Sequence, residues 1–98
     1  MSRFVITPRA RLDLISIWEY TAKQASIETA NRVLATIHDA ILDLAELPGM
    51  GHVRPDVKNK SYRFWRVYNY LIAYRTDGGD LTIARVIHGA RNFRFLFR

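Results

Sequence analysis

Apolar positions in this chain recur first at helical and then at strand spacing, and the change falls near the middle. Arg3-Phe4-Val5-Ile6 reads as a short strand. Thr7-Pro8 then predicts a helix start, with Thr7 as N-cap and Pro8 at the first helical position, where a missing N–H is no loss. Leu14, Ile15, Trp18, Ala22 and Ala25 follow at spacings of one, three and four, an amphipathic stripe that places Trp18 in the core, tying the helix to a sheet. Ser26 offers a second N-cap, with Glu28 near the positive end of the next helix. Ala30, Val33, Leu34, Ile37, Ile41, Leu44 and Ala45 line one face of that helix, while Arg32, Asp39, Asp43 and Glu46 lie off it. Leu47-Pro48-Gly49 ends it, and the short joint between the two helices predicts an αα-hairpin.

After a loop over residues 48–61 the period changes. Tyr62 to Tyr68 and Tyr70 to Arg75 are rich in aromatic and β-branched residues, as strands prefer. Asn69 marks a short turn between them. Thr76-Asp77-Gly78-Gly79-Asp80 predicts a hairpin turn, because paired glycines supply positive φ. Leu81 to His88 is a further strand, ended by Gly89. Residues 90–98 fit either a short helix or an extended arm. The expected fold is α+β: an N-terminal strand, a helical hairpin, then a three-stranded antiparallel meander, in the order β-α-α-β-β-β, with a short C-terminal tail. One sheet face should bury against the helices, and the other should be free to bind.

Composition narrows the setting. Ninety-eight residues suit a single domain over 1–98, and 49% apolar residues are enough for a packed core rather than disorder. No apolar run approaches the ~20 residues of a membrane span, and Met1-Ser2-Arg3-Phe4-Val5 does not resemble a signal peptide. A cytoplasmic protein is expected. With no cysteine, disulfides, thiolate metal sites and thiol nucleophiles are excluded. His38, His52 and His88 lack metal-ligand spacing, and no cofactor motif stands out, so neither metal nor cofactor is expected. The formal charge is +6, which points to an anionic partner. Ten Lys or Arg face three Asp in residues 52–98, whereas residues 1–51 hold five against six acidic groups. Binding chemistry is therefore expected in the second half.

Three strings, taken in order, carry a family resemblance: Thr7-Pro8-Arg9-Ala10 followed by Asp13-Leu14; Leu44-Ala45-Glu46-Leu47-Pro48-Gly49-Met50-Gly51; and Ile83-Ala84-Arg85-Val86-Ile87-His88-Gly89-Ala90-Arg91. With Arg66-Val67 and Tyr70 to Arg75 between them, they resemble the ParE toxins, the gyrase-directed branch of the ParE/RelE type II toxin–antitoxin superfamily of plasmid stabilisation proteins. The resemblance implies a toxin that binds DNA gyrase and blocks replication, meeting nucleic acid only through such complexes. It also implies a cognate antitoxin, usually of the ribbon-helix-helix type, whose acidic, apolar C-terminal tail orders on the toxin surface.

The contact residues expected on this reading are Arg75, Arg85, His88, Arg91, Arg94 and Phe97, acting in recognition rather than catalysis. Arg85 stays open at this point: facing the helices it is a paired structural arginine, facing outward a binding residue. The runner-up is a ribosome-dependent mRNA endoribonuclease of the RelE type, leaning on Arg66, His88 and Arg91. RNA cleavage needs an acid, a base and cations around the phosphate. Leu71 stands where RelE-like sequences carry a strand arginine, and Phe95 or Phe97 where they carry a tyrosine, which leaves His88 as the nearby group suited to proton transfer. The apolar run Phe93, Phe95, Leu96 and Phe97 should pack on the helices or meet a partner.

Overall fold

A computed structural model of the chain describes residues 3–89. The elements are β1 (Phe4–Ile6), α1 (Pro8–Gln24), α2 (Ile27–Glu46), a 3₁₀ turn at Pro48–Met50, β2 (Arg63–Val67), β3 (Tyr70–Asp77) and β4 (Asp80–His88). This is the β-α-α-β-β-β order that the hydrophobic pattern predicts. The tail over residues 90–98 lies outside the described residues.

Both helices begin as their caps dictate. Thr7 Oγ1 accepts a hydrogen bond from the Ala10 amide at 3.2 Å, and Ser26 Oγ from the Thr29 amide at 3.0 Å, each satisfying a donor that a helix start leaves unpaired. The last turn of α2 closes with the Leu47 amide donating to the Asp43 carbonyl, after which Pro48 cannot continue the helix.

The four strands form one sheet in the order β1-β4-β3-β2. β2, β3 and β4 are the antiparallel meander, while β1 runs parallel to β4, Phe4 opposite Leu81 and Ile6 opposite Ile83. The second hairpin is longer than expected. Its strands run to Asp77 and from Asp80, and the two-residue turn holds Gly78 at φ 60° and Gly79 at φ 93°, a conformation that glycine adopts without steric cost.

The core lies between the helical hairpin and one sheet face. From α2 come Ile37, Ile41, Leu44 and Ala45, and from the sheet Ile72, Tyr74, Leu81, Ile83 and Val86. The α2 stripe is the predicted one. The α1 stripe is not: Ala10 and Ile17 are buried with Leu14 packed beside them, whereas Ile15 and Ala25 face solvent. Trp18 also departs from expectation. It is half-buried and joins α1 to α2 rather than to the sheet, its Nε1 donating to Asn31 Oδ1 at 2.8 Å.

The other sheet face is partly covered, against expectation. Val57, 1% exposed, drops from the 52–62 loop onto Phe64, Leu71, Ala73 and Ile87. The Lys60 ammonium fastens that loop by donating to the carbonyls of Arg54, Pro55 and Val57 at 2.8, 3.2 and 2.7 Å. No helix among the described residues is long and apolar enough to cross a membrane.

Candidate functional site: a cleft beside the end of the sheet

The site begins with a local irregularity in β4. Ala73 lies opposite Arg85 and Tyr74 opposite Ile83, so Ala84 is an extra residue on β4, and a bulge of this kind redirects neighbouring side chains. β1 ends at Ile6, leaving the following edge of β4 to be met by α1 instead. Thr7 Oγ1 donates to the Ala84 carbonyl at 3.1 Å. Nearly two turns on, the Asp13 carboxylate accepts the Val86 amide at 3.0 Å and is held two-handed by Arg85, Nε to Oδ2 at 2.7 Å and Nη2 to Oδ1 at 3.0 Å. Of the two readings open for Arg85, the structure has the paired one. Its guanidinium is committed to α1, and the residue is 8% exposed.

Beside this ion pair a cleft of about 790 Å³ opens between α1, the β2–β3 turn and the C-terminal end of β4. Ile17, Val33 and Val86 belong to its lining, as do Arg9, Leu12, Tyr20, Tyr68 and His88. Leu12, Tyr20 and Tyr68 are 56%, 63% and 53% exposed, so large apolar groups line a concavity with nothing among the described residues packed over them, which is how binding surfaces differ from a solvated face. His88 is exposed and its ring stands edge-on to Tyr70, centroids 5.8 Å apart.

The remaining described candidates sit elsewhere. Strand pairing puts Tyr70 and His88 on the helix-facing side of the sheet, whereas Arg66, opposite Leu71, and Ile87 occupy the other side. Arg66 and His88 therefore point to opposite faces. Arg66 donates from Nε to the Tyr68 carbonyl at 3.0 Å. Arg75 bonds Asp77 at 2.9 Å and the Tyr62 hydroxyl at 2.8 Å, at the hairpin end of the sheet. The hydrogen bond that Arg75 donates to the Asp77 carboxylate raises the guanidinium pKa from its ordinary value despite some loss of hydration. Arg91, Arg94 and Phe97 lie outside the described residues. The expected contact set is thus not one cluster, and only His88 of its described members is exposed in the cleft.

The ParE toxin family model ("ParE toxin of type II toxin-antitoxin system, parDE") matches residues 4–93. The chain belongs to the ParE toxin family. It is 32% identical over 95 residues to Toxin ParE1 of Caulobacter vibrioides, covering 96% of each chain. It is 27% identical over 88 residues to Toxin ParE1 of Mycobacterium tuberculosis, covering 89% of each. Among solved structures, a chain of the chromosomal ParDE toxin–antitoxin system from P. aeruginosa superposes with a TM-score of 0.77 at 20% identity, over 90% of this chain and 96% of that one, a likeness of fold. Sequence reasoning missed Leu12 and Tyr20 because a helix stripe with Asp13 on its inner side disguises which apolar residues face out, and Tyr68 because the strand pattern does not say where a turn residue points.

Proposed function

We propose that this ParE-type toxin stops growth by binding DNA gyrase and blocking replication, and that a cognate antitoxin of the ribbon-helix-helix type neutralises it. The antitoxin's acidic, apolar tail takes the cleft, where Leu12, Tyr20 and Tyr68 offer apolar contact and Arg9 a cation. One observation carries the choice of a binder over a ribonuclease: Arg66 and His88 point to opposite faces of the sheet. That arrangement disfavours holding a phosphodiester with one while protonating it with the other. The Asp13–Arg85 pair supports the same reading, since an arginine already held by a carboxylate is a poor donor to phosphate.

Expression of the chain alone is expected to arrest growth with broken DNA, and co-expression of the antitoxin to restore it. His88→Gln should keep the arrest within about tenfold of wild type in the inducer needed, because glutamine retains a hydrogen-bonding side chain. An enzyme using the imidazole as its acid would lose roughly 10²–10⁴-fold. Arrest accompanied by ribosome-dependent mRNA cleavage, and abolished in His88→Gln, would establish the nuclease instead.

A further inference from the structure

The β2–β3 turn has two residues, Tyr68 and Asn69, and the first carries the strain. Tyr68 sits at φ 54°, the only positive φ outside glycine among the described residues. At the first central position of a two-residue hairpin turn, glycine is the residue that adopts this conformation without cost. A bulky aromatic there is an outlier, and such strain persists where something else selects for the side chain. Asn69, better suited to positive φ, stands one place away and is not used for it. The ring is not repaid by burial, being 53% exposed. Its described polar contact is with Thr36 on α2, the two hydroxyls 3.3 Å apart, which anchors the ring's far end over the cleft.

Tyr20, 63% exposed, lines the same cleft from α1. Two tyrosines on separate elements thus flank one opening, each rigid and amphipathic, the kind of side chain that dominates interface energetics. Charge identifies the occupant. The first turn of α1 holds no acidic residue and instead carries Arg9, which lines the cleft, with Arg11 following. Cations are disfavoured at that end of a helix, so their presence fits an anionic partner. We infer that Tyr68 is held in its strained conformation to form one wall of the cleft, and that it and Tyr20 clamp an apolar side chain of an acidic antitoxin segment whose carboxylate meets Arg9. This rests on the antitoxin reading proposed above.

The test sets stability against binding in full-length chain. Tyr68→Gly relieves the strain and is expected to raise the melting temperature by roughly 4 °C or more, while weakening calorimetric binding of the antitoxin encoded with this chain by about tenfold or more. Tyr68→Phe keeps the ring and should bind within about twofold of wild type. A Tyr68→Gly chain that binds as tightly as wild type, or melts lower, overturns the assignment. Unchanged antitoxin binding with lost gyrase inhibition would overturn it too, moving the ring to the target's surface. Wild-type chain that binds no antitoxin sinks the partnership itself rather than the role of Tyr68.

Discussion

Asp13→Ala is expected to lower the unfolding free energy by about 3–5 kcal/mol, the usual cost of removing one partner from a buried ion pair. The side chains of Arg85 and Asp13 are only 10% and 14% exposed, and the substitution strands a largely buried guanidinium without its carboxylate. It also removes the acceptor of the Val86 amide, at the stretch of β4 that β1 does not cover. A chain of this size has a total stability of roughly 5–15 kcal/mol, so the variant should unfold at a much lower urea concentration with an unchanged slope. Replacing both partners by apolar residues, Asp13→Leu with Arg85→Met, should recover a large part of the loss, because no charge is then left buried. A double variant as unstable as Asp13→Ala alone would show that the Val86 amide, rather than the charge, dominates.

Gly51→Ala should cost about 2–4 kcal/mol through a single crowded contact. A methyl at residue 51 would meet the Tyr74 side chain, with Cε1 at 2.7 Å and Cζ at 2.9 Å and the hydroxyl closer still. Tyr74 is fully buried and cannot swing into solvent. Its hydroxyl donates to the Pro48 carbonyl at 2.6 Å and accepts the Gly51 amide at 2.9 Å, so any displacement orphans two backbone groups along with it. Burial raises the phenol pKa, more than the Gly51 amide and the Arg63 charge lower it, which keeps the hydroxyl protonated and able to donate. Gly49→Ala is the matched control: nothing lies within 4 Å of its added methyl, and thermal denaturation should barely change. Equal losses at both positions would contradict the packing argument.

Much of this fold is legible in the sequence because two signals are undiluted. The α2 stripe runs from Ala30 to Ala45 without a polar residue on the inner face, and Gly78-Gly79 permits one kind of turn. The α1 face is misread because its inner side includes Asp13, whose partner is seventy-two residues away. Periodicity scores that aspartate as solvent-facing and rotates the stripe towards Ile15 and Trp18. The pairing of β1 with β4 is equally hidden, since three residues of strand say nothing about which edge they join. Val57 lies in a polar loop and gives no sign that it caps the far face of the sheet. At the site, composition identified arginines but not their state: Arg75 and Arg85 are engaged by carboxylates, whereas Tyr20 and Tyr68 are the exposed aromatic side chains of the cleft. The strain at Tyr68 is a backbone property, and turn chemistry alone would have assigned it to Asn69.

The most direct measurement is a supercoiling assay with purified, antitoxin-free chain, gyrase and relaxed plasmid, scored for supercoiled product and for cleaved DNA. A gyrase-binding toxin gives lost supercoiling, accumulated gyrase-dependent breaks, and reversal of both by added antitoxin. Full supercoiling activity in the presence of chain that still arrests growth would contradict gyrase binding and direct the search to ribosome-bound mRNA.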